Sequence, residues 1–387
     1  MTAATLDSVA AIRDAVNDAS RGRTTVRIAG RGTWLDAGRP VQASESLPTR
    51  DLTGVIEYVP GDLTLTALAG TTLGEIRAAT AVNNQWLALD PYGSDEGTIG
   101  ATVATASAGP LVTSFGRPRD LVLGLEFVTG AGVVARGGGR VVKNVAGFDL
   151  VRLFTGSWGT LGVVTEVTVR LHAKPSADES IAITLGERPT SAPERVRQLL
   201  RRLPFVPFAC EVVNEALARH LGVGSDVTAI VRIGGNRESV DAQRAAMNEL
   251  GDVRPIDPAV WNAMRSSEPA GANVLRLSRL PSEISLAWSE ALTLAGAADT
   301  GAFVHATPSR GIVRCILPAH DAASRDRLKD ALSRPSTSKR LGERLDPTLW
   351  DLVTQTQTQP SETIAARIRS TFDPYAILNP GILGGMA

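Results

Sequence analysis

The chain has 387 residues, of which 43% are hydrophobic and 21% are charged, and its 40 basic residues balance its 40 acidic ones. The length predicts two domains, or one domain with a large insertion, and the composition is typical of a globular protein. Because the chain has no net charge, the composition argues against a polyanionic partner such as nucleic acid.

Cysteine and histidine usage argues against a metal centre and a disulfide scaffold. These residues are Cys210, Cys315, His172, His220, His305 and His320. None of them forms a CxxC, HxH or HExxH pattern, so we expect no metal. The two cysteines are expected to be small core residues in a reducing compartment.

The first twenty residues, MTAATLDSVAAIRDAVNDAS, lack the basic segment and the apolar stretch of a signal peptide. No later run approaches the roughly 18 apolar residues of a membrane span. We therefore expect a cytoplasmic protein without a membrane span, which leaves association with a membrane through partner subunits open.

The first half of the chain is predicted to form alternating helices and strands. Hydrophobic spacing predicts a helix over 9–16, and β-rich runs predict strands at 24–30 and 162–171. A capping box predicts a short helix over 72–80. The stretch LGLEFVTGAGVVAR at 123–136 predicts a hairpin.

A polar, proline-containing stretch at 172–180 indicates a boundary, after which strand and helix patterns alternate again. The second unit is predicted to be α+β or α/β, with a helix that begins at a Ser191–Glu194 capping box. The polar segment at 334–347 is predicted to be a mobile excursion before a last helix over 361–372.

Three segments rich in glycine and small residues fall in the first 165 positions: AGRGTWLDAG (29–38), GTIGATVATASAG (97–109) and GSWGTLGV (156–163). A glycine turn directly after a strand directs several backbone N–H groups into one concavity, which can hold a pyrophosphate. Arg31 would add a cation. Alternatively, Gly30, Gly32 and Gly38 serve only a tight turn.

The second of these segments contains nothing larger than Ile99. Small side chains would let a planar body such as an isoalloxazine ring lie close to the main chain. A close-packed strand interface would require the same residues. The chain has no P-loop, and Gly137 to Gly139 lack the strand-GxGxxG-helix context of a dinucleotide fold.

Two charged positions precede the third segment, in KNVAGFDLVRL. Lys143 would stabilise an anionic reduced flavin if it lay nearby, and its role is left open. Asp149 lies three residues before Arg152, and pairing of the two along a helix is the favoured interpretation. Further along, His305 lies in FVHATPSRGIVRC near Arg310 and Arg314, where an acidic substrate could bind, although a structural histidine is favoured.

Six motifs of the chain resemble, in order and spacing, those of the FAD-binding oxidoreductases of the vanillyl-alcohol oxidase type. They are AGRGTW, GTIGATVATASAG, RPRDLVLGLEFVTGAG, KNVAGFDLVRL, GSWGTLGVVTEV and FDPYAILNPG. The resemblance is greatest to the family of E-type FAD-binding subunits of bacterial glycolate oxidase. It covers residues 24–175 and the last fifteen residues. It implies an α+β fold with a two-subdomain PCMH-type FAD-binding domain (1–175), an α/β cap domain at a substrate or subunit interface (176–350), and a C-terminal segment (351–387) that returns to the FAD domain.

The resemblance also implies which residues contact FAD. Those expected at the pyrophosphate are Gly30, Arg31, Gly32, Thr33 and Trp34. Those expected along the flavin and ribityl chain are Pro91, Thr98, Ile99, Gly100, Ala101, Thr105, Ser107 and Gly109. Gly162 and Val164 would lie near the adenine or ribityl part, and Asn379 near the flavin ring.

Two departures from the family pattern shape the functional expectation. The first glycine loop has no histidine, so the FAD is expected to be noncovalent. The histidine-rich metal motif of the D-type subunits, which oxidise 2-hydroxy acids, is absent. We therefore expect a subunit that works with a D-type FAD subunit and an iron-sulfur subunit on glycolate or D-lactate.

Two alternatives remain. One is a structural FAD-binding subunit without its own catalysis. The other is a free-standing FAD-dependent dehydrogenase whose substrate meets Arg276, Arg279, Arg310 or His305.

Overall fold

A computed structural model of the chain describes residues 7–139, 148–186, 189–299, 301–318, 321–354 and 360–384. The strands are β1 (Val26–Ala29), β2 (Glu45–Pro48), β3 (Val55–Val59), β4 (Thr64–Leu68), β5 (Gln85–Trp86), β6 (Val122–Val128), β7 (Val134–Gly138), β8 (Val163–Arg170), β9 (His172–Ala173), β10 (Ala177–Thr184), β11 (Ala209–Val213), β12 (Thr228–Gly235), β13 (Val253–Ile256), β14 (Asn273–Ser278), β15 (Phe303–Thr307), β16 (Ile312–Leu317) and β17 (Lys339–Arg344).

The α-helices are α1 (Val9–Gly22), α2 (Leu73–Ala81), α3 (Ile99–Thr105), α4 (Val112–Phe115), α5 (Pro118–Leu121), α6 (Leu150–Phe154), α7 (Ala192–Arg202), α8 (Glu215–His220), α9 (Arg237–Met247), α10 (Val260–Arg265), α11 (Ile284–Ala298), α12 (Ala322–Ser333), α13 (Trp350–Thr354) and α14 (Pro360–Phe372). Short 3-10 turns occupy Pro60–Asp62, Pro189–Ser191, Pro281–Glu283, Pro308–Arg310 and Pro347–Leu349.

The chain divides into two compact units. The first comprises residues 1–109, 116–174 and 357–387, and the second comprises residues 110–115 and 175–356. Each unit combines helices with antiparallel sheet, so the predicted α+β class is confirmed. Among the described residues, no helix is both long enough and apolar enough to cross a membrane.

The first unit begins with the predicted amphipathic helix. Ser8 accepts a hydrogen bond from the N–H of Ala11 and so caps α1, and Ile12 and Val16 are fully buried. The predicted capping box of α2 is also present, because Thr72 accepts from the N–H of Glu75 and Glu75 accepts from the N–H of Thr72. Both helices form where the sequence predicts them.

A five-stranded antiparallel sheet, in the order β3-β4-β8-β6-β7, forms the larger sheet of this unit. The predicted hairpin is β6 and β7, which pair antiparallel around a turn in which Gly132 has a φ of +74°. The central strand β8 alternates buried and half-buried residues over most of its length, as its sequence predicts.

The C-terminal tail extends the small parallel pair of β1 and β2. The N–H of Val26 donates to the carbonyl of Ile377 at 2.8 Å, and the N–H of Asn379 donates back to the carbonyl of Val26 at 2.9 Å. The carboxylate of Asp373 accepts from the N–H of Leu378 at 2.8 Å and holds the turn that delivers the tail. The tail is therefore part of the first unit.

The second unit contains an eight-stranded antiparallel sheet in the order β13-β10-β12-β11-β15-β16-β14-β17. Alternate residues of β10 serve opposite faces, since Ile181 and Ile183 pack in the cluster of Trp288 and Ala182 packs in the cluster of Trp261. The cysteines Cys210 and Cys315 are fully buried in the first of these clusters, as predicted. Burial raises the pKa of both thiols well above the usual range.

Two local predictions are wrong. Ser191 makes no side-chain capping bond to α7, and Glu194 instead accepts from Arg197 and Gln198. The stretch 172–180, where the sequence indicates a boundary, contains the passage from the first unit to the second between Lys174 and Pro175, together with β9 and the start of β10. The polar stretch 334–347 is not an excursion, because it contains β17, which pairs with β14 at the edge of the sheet.

Candidate functional site

The three glycine-rich segments meet around one cavity of the first unit. Its space, including the open mouth, amounts to about 1000 Å³. The cavity lies at the end of β1 and extends along α3 to the loop before β8 and to the C-terminal tail.

The first glycine loop leaves β1 as a bare stretch of main chain. Within the described residues, the N–H groups of Arg31, Gly32 and Thr33 find no acceptor, although all three residues line the cavity. Gly32 has a φ of +75°, which favours glycine. A Cβ at Gly30 would lie 2.6 Å from Oγ1 of Thr98, so this position requires glycine to let the loop pass α3.

The second segment folds as α3, capped by Thr98, whose Oγ1 accepts from the N–H of Ala101 at 3.3 Å. Gly100 packs against Ala69, the residue that follows β4, and the N–H of Gly100 donates to the carbonyl of Ala69 at 2.9 Å. A Cβ at Gly100 would lie 2.6 Å from the Cβ of Ala69. The small residues therefore let α3 pack closely on one side, while Ala101 and Thr105 line the cavity on the other.

The third segment is anchored to the end of α3. The N–H of Gly156 donates to the carbonyl of Val103 at 3.0 Å, and that of Trp158 donates to the carbonyl of Ala104 at 2.8 Å. Trp158 adopts a φ of +55°, an unusual conformation for a bulky residue, which these bonds hold in place. A Cβ at Gly162 would lie 2.7 Å from the carbonyl oxygen of Val128, so this glycine serves packing against β6.

Asn379 connects the first and third segments. Its Oδ1 accepts from the N–H of Ile28 at 2.8 Å, and its Nδ2 donates to the carbonyl of Trp158 at 2.7 Å. The residue is only 5% exposed. It lines the cavity and also holds β1 to the loop before β8.

Aromatic and basic side chains flank the cavity mouth. The rings of Trp34 and Trp158 lie nearly parallel, with centroids 6.2 Å apart. Burial lowers the pKa of the Arg27 guanidinium, although nearby Asp36 acts in the opposite direction. Arg31 is more exposed and pairs with Glu96 at 3.1 Å. Two guanidinium groups therefore border the cavity, and each has a carboxylate nearby, Asp36 for Arg27 and Glu96 for Arg31.

One polar atom of the cavity wall lacks a partner. Oγ of Ser107 is buried and makes no hydrogen bond to any described residue. Buried hydroxyls are normally satisfied, so this hydroxyl is available to hydrogen-bond a group bound in the cavity. Together with the free N–H groups of the first loop, this hydroxyl fits a polar cofactor that carries both a phosphate and hydroxyl or carbonyl groups.

Most of the residues predicted to contact FAD line this cavity. They are Gly30, Arg31, Gly32, Thr33, Trp34, Pro91, Thr98, Gly100, Ala101, Thr105, Ser107, Gly162, Val164 and Asn379. Ile99 and Gly109 do not. The Ile99 side chain is fully buried in the core, and Gly109 packs against Asp90, whose carbonyl oxygen would lie 2.1 Å from an added Cβ.

Sequence reasoning did not identify several other lining residues. They include Arg27, Ala37, Thr49, Tyr92, Ser94, Gly97, Thr102, Ala104, Trp158, Gly159 and Ile382. Gly97, Trp158 and Gly159 lie inside the glycine-rich segments, which is a signal that could have found them. Arg27 lies on β1 itself and carries no such signal.

Lys143 and His320 lie outside the described residues. Asp149 caps α6 by accepting from the N–H of Arg152 at 3.0 Å and also pairs with the Arg152 side chain at 3.2 Å. The helix-pairing interpretation of Asp149 is therefore confirmed.

Four basic side chains of the second unit, those of His305, Arg314, Arg276 and Arg279, are engaged with carboxylates. Nδ1 of His305 lies 2.8 Å from Glu211, and Nε of Arg314 lies 2.6 Å from Glu343. His305 and Arg314 are 2% and 1% exposed. Arg276 faces Glu343 at 3.7 Å and Arg279 faces Glu283 at 3.1 Å. This arrangement favours the structural interpretation of His305.

One known family matches the first part of the chain. Residues 2–138 match the family model described as FAD binding domain. FAD is the cofactor of such a domain, and the cavity contains the groups that its pyrophosphate and polar ring edges require.

Two relatives that match part of the chain are glycolate oxidase subunits. The chain is 42% identical over 173 residues to glycolate oxidase subunit GlcE of Escherichia coli (strain K12), covering 44% of this chain and 49% of that protein. It is 35% identical over 198 residues to glycolate oxidase subunit GlcD of Bacillus subtilis (strain 168), covering 51% and 42%. The chain thus matches about half the length of these relatives.

The fold extends over nearly the whole chain in solved structures. A substrate-bound p-cresol methylhydroxylase superposes with a TM-score of 0.75 at 16% identity, covering 98% of this chain and 87% of that one. At this identity the likeness shows the fold, which is the PCMH-type fold that the sequence motifs resemble.

Proposed function

We propose that the protein is the FAD-binding subunit of a glycolate-oxidase-like complex that oxidises a 2-hydroxy acid, glycolate or D-lactate, to the 2-oxo acid. The observation that carries the proposal is the cavity that three separate motifs enclose, in which the first presents free N–H groups, the second an orphan hydroxyl, and the second and third close-packed small residues. FAD bound there would supply the two-electron acceptor that such an oxidation requires.

The residues of the cavity have distinct proposed roles. The N–H groups of the Gly30 to Trp34 loop would hold the pyrophosphate, with Arg31 adding positive charge. The wall from Pro91 through Ser107 would lie along the flavin and ribityl chain. Gly162 and Val164 would contact the adenine or ribityl part. Because the loop offers no histidine, the FAD would be held noncovalently.

Asn379 has a positioning role in this proposal, because both polar atoms of its side chain already bind main chain. It would keep β1 and the Trp158 loop at the spacing that the cofactor requires. Contact with the flavin ring would come through its neighbours in the cavity wall.

The similarity to two glycolate oxidase subunits supports a role within a complex. Iron-sulfur clusters are held by several cysteines, and Cys210 and Cys315 are each buried in the core of the second unit. We propose that electrons pass from the flavin to an iron-sulfur subunit, and that a D-type FAD subunit is the other partner. Membrane association would come through these partners.

Paired charges in the second unit argue against a free-standing dehydrogenase. A site for a substrate carboxylate needs an uncompensated cation, whereas three of the four residues named for this alternative, His305, Arg276 and Arg279, each face a carboxylate. We therefore place this alternative second. We also propose that residues 176–350, which lie within the second unit, act as a cap or subunit interface, with 1–175 and 351–387 forming the FAD domain.

Anaerobic reduction of the flavin tests the proposal. The purified chain would be mixed with glycolate or D-lactate, first alone and then with a D-type and an iron-sulfur subunit, while flavin absorbance is followed and the change given by the two partner subunits without this chain is subtracted. We expect bleaching only when the partner subunits are present.

The other outcomes identify the alternatives. Bleaching of the chain alone would favour the free-standing dehydrogenase. Flavin that stays oxidised with all partners present, while the complex turns over, would indicate a structural FAD subunit.

A further inference from the structure

A second cavity lies entirely within the second unit, and the FAD proposal does not use it. Its space, including the mouth, amounts to about 680 Å³. It lies between the last turns of α7, the loop that follows α7, and the 3-10 turns that contain Pro281 and Ser309. Its lining residues are Thr113, Arg197, Leu200, Arg201, Phe205, Val206, Pro207, Pro281 and Ser309.

Two hydroxyls of this cavity lack partners. Oγ1 of Thr113 and Oγ of Ser309 are both buried, and neither forms a hydrogen bond with any residue in the described ranges. They come from distant parts of the chain. Thr113 reaches the second unit through the short helix α4, which is held by the edge-to-face contact of Phe115 with Phe208 at 5.0 Å. Two orphan hydroxyls in one cavity indicate a missing acceptor.

The charge of the cavity is positive by one unit. Arg197 has a side chain only 10% exposed, and its Nε and Nη2 bind Glu194 at 2.7 and 2.6 Å, so these two charges cancel. Arg201 lies one turn further along α7, and it acts electrostatically on the same Glu194 without forming an ion pair with any described residue. A single guanidinium is therefore left to face a ligand.

The remaining wall is apolar. Leu200, Phe205, Val206, Pro207 and Pro281 contribute hydrocarbon surface, and Val206 is 60% exposed although it is hydrophobic. A ligand for this cavity would place a hydrophobic body against these residues and direct one anionic group to the hydroxyls and Arg201.

We propose that this cavity binds a monocarboxylate with an apolar tail or ring, whose carboxylate accepts hydrogen bonds from Thr113, Ser309 and Arg201. A carboxylate provides the acceptors that the two hydroxyls lack and matches the single uncompensated charge. An uncharged amide of the same shape would leave Arg201 without a counterion.

Calorimetric titration of the purified full chain with 4-phenylbutyrate and with 4-phenylbutyramide tests this site. We expect the carboxylate to bind and the amide to bind at least about tenfold more weakly, because charge-assisted hydrogen bonds are roughly twice as strong as neutral ones. Arg201→Met and Ser309→Ala should each weaken binding of the carboxylate about tenfold.

Arg202→Met is the matched control, because Arg202 is exposed on the same helix end, pairs with Glu249 and does not line the cavity. It should leave binding within about twofold of the original chain. Three results would overturn the proposal: no binding of 4-phenylbutyrate up to about 10 mM, equal binding of acid and amide, or unchanged binding in Arg201→Met. Unaltered melting temperature in the variants establishes that they fold.

Discussion

Asn379 shows how one side chain can organise a site that is assembled from distant segments. It accepts from the N–H of Ile28 on β1 and donates to the carbonyl of Trp158 before β8. An aspartate has nearly the same shape but cannot donate when ionised. The two residues therefore differ at the atom that faces Trp158.

Asn379→Asp should lower the free energy of unfolding by about 2–4 kcal/mol and weaken FAD binding at least about tenfold, because a buried carboxylate would face a carbonyl oxygen. Denaturant titration and FAD fluorescence titration measure the two effects. Asn83→Asp, at an exposed position, is the control. An Asn379→Asp protein with unchanged FAD affinity would contradict the positioning role.

A second prediction for a single residue concerns Gly30. Gly30→Ala should displace Thr98, since the new Cβ would lie 2.6 Å from Oγ1, and disturb the cap of α3 at a cost of about 1 kcal/mol. FAD affinity should fall at least about tenfold, because the loop and the helix border the same cavity. Gly61→Ala, where nothing lies within 4 Å of the added Cβ, should change neither quantity. Equal behaviour of the two variants would contradict the proposed role of Gly30.

The sequence shows that glycines cluster here, but it does not show what each glycine contacts. Gly100 was expected to give a flavin ring access, yet its missing Cβ accommodates Ala69, thirty-one positions earlier. Gly162 similarly accommodates the carbonyl of Val128. Such contacts depend on how α3 and β8 pack, which local pattern does not encode. A Gly100→Val variant would therefore perturb packing as well as the cavity.

At the scale of elements, the edge of the second sheet carries buried charge. Arg314 on β16 binds Glu343 on β17, and Arg276 on β14 approaches the same carboxylate. Burial alone would raise the pKa of Glu343, but Arg314 and Arg276 outweigh it and hold the pKa below its usual range. The polar segment 334–347 is ordered as a strand because its charges find these partners, which composition could not predict.

Glu343→Gln should lower the free energy of unfolding at neutral pH by about 3–5 kcal/mol, because it leaves Arg314 buried with less compensation. Since the folded pKa of Glu343 lies below its unfolded value, its contribution is fully present above the unfolded pKa and disappears as pH falls through the folded pKa. The variant should therefore lose less stability than the original chain on acidification.

Urea titrations across this pH range provide the measurement. Glu283→Gln, whose side chain is 41% exposed, is the control and should change stability by less than about 1 kcal/mol. If Glu343→Gln shows the same acid dependence as the original chain, the buried pair does not hold this edge.

At the scale of the whole molecule, the first unit is built from segments that are not consecutive in the sequence. The first unit is interrupted by the second and is completed by the tail after α14. The sequence motifs at both ends indicated this return, because FDPYAILNPG resembles the end of the same family. The sequence does not predict which strand the tail joins, because the partner residue, Val26, lies about 350 positions earlier.

Removal of residues 373–387 should abolish FAD retention, because β1 would lose its hydrogen bonds to Ile377 and Asn379 and the cavity would lose one wall. Removal of residues 385–387 alone is the control and should leave FAD content unchanged. Flavin absorbance after gel filtration measures both. Full FAD content in the longer truncation would contradict the role assigned to the tail.

The visible absorption spectrum of the purified full chain, followed by titration with FAD, tests the central claim most directly. We predict a yellow protein, or a colourless one that takes up one FAD per chain, and flavin that is released intact on denaturation because it is not covalently attached. A protein that is colourless and does not bind FAD on titration would contradict the assignment of the cavity and, with it, the proposed function.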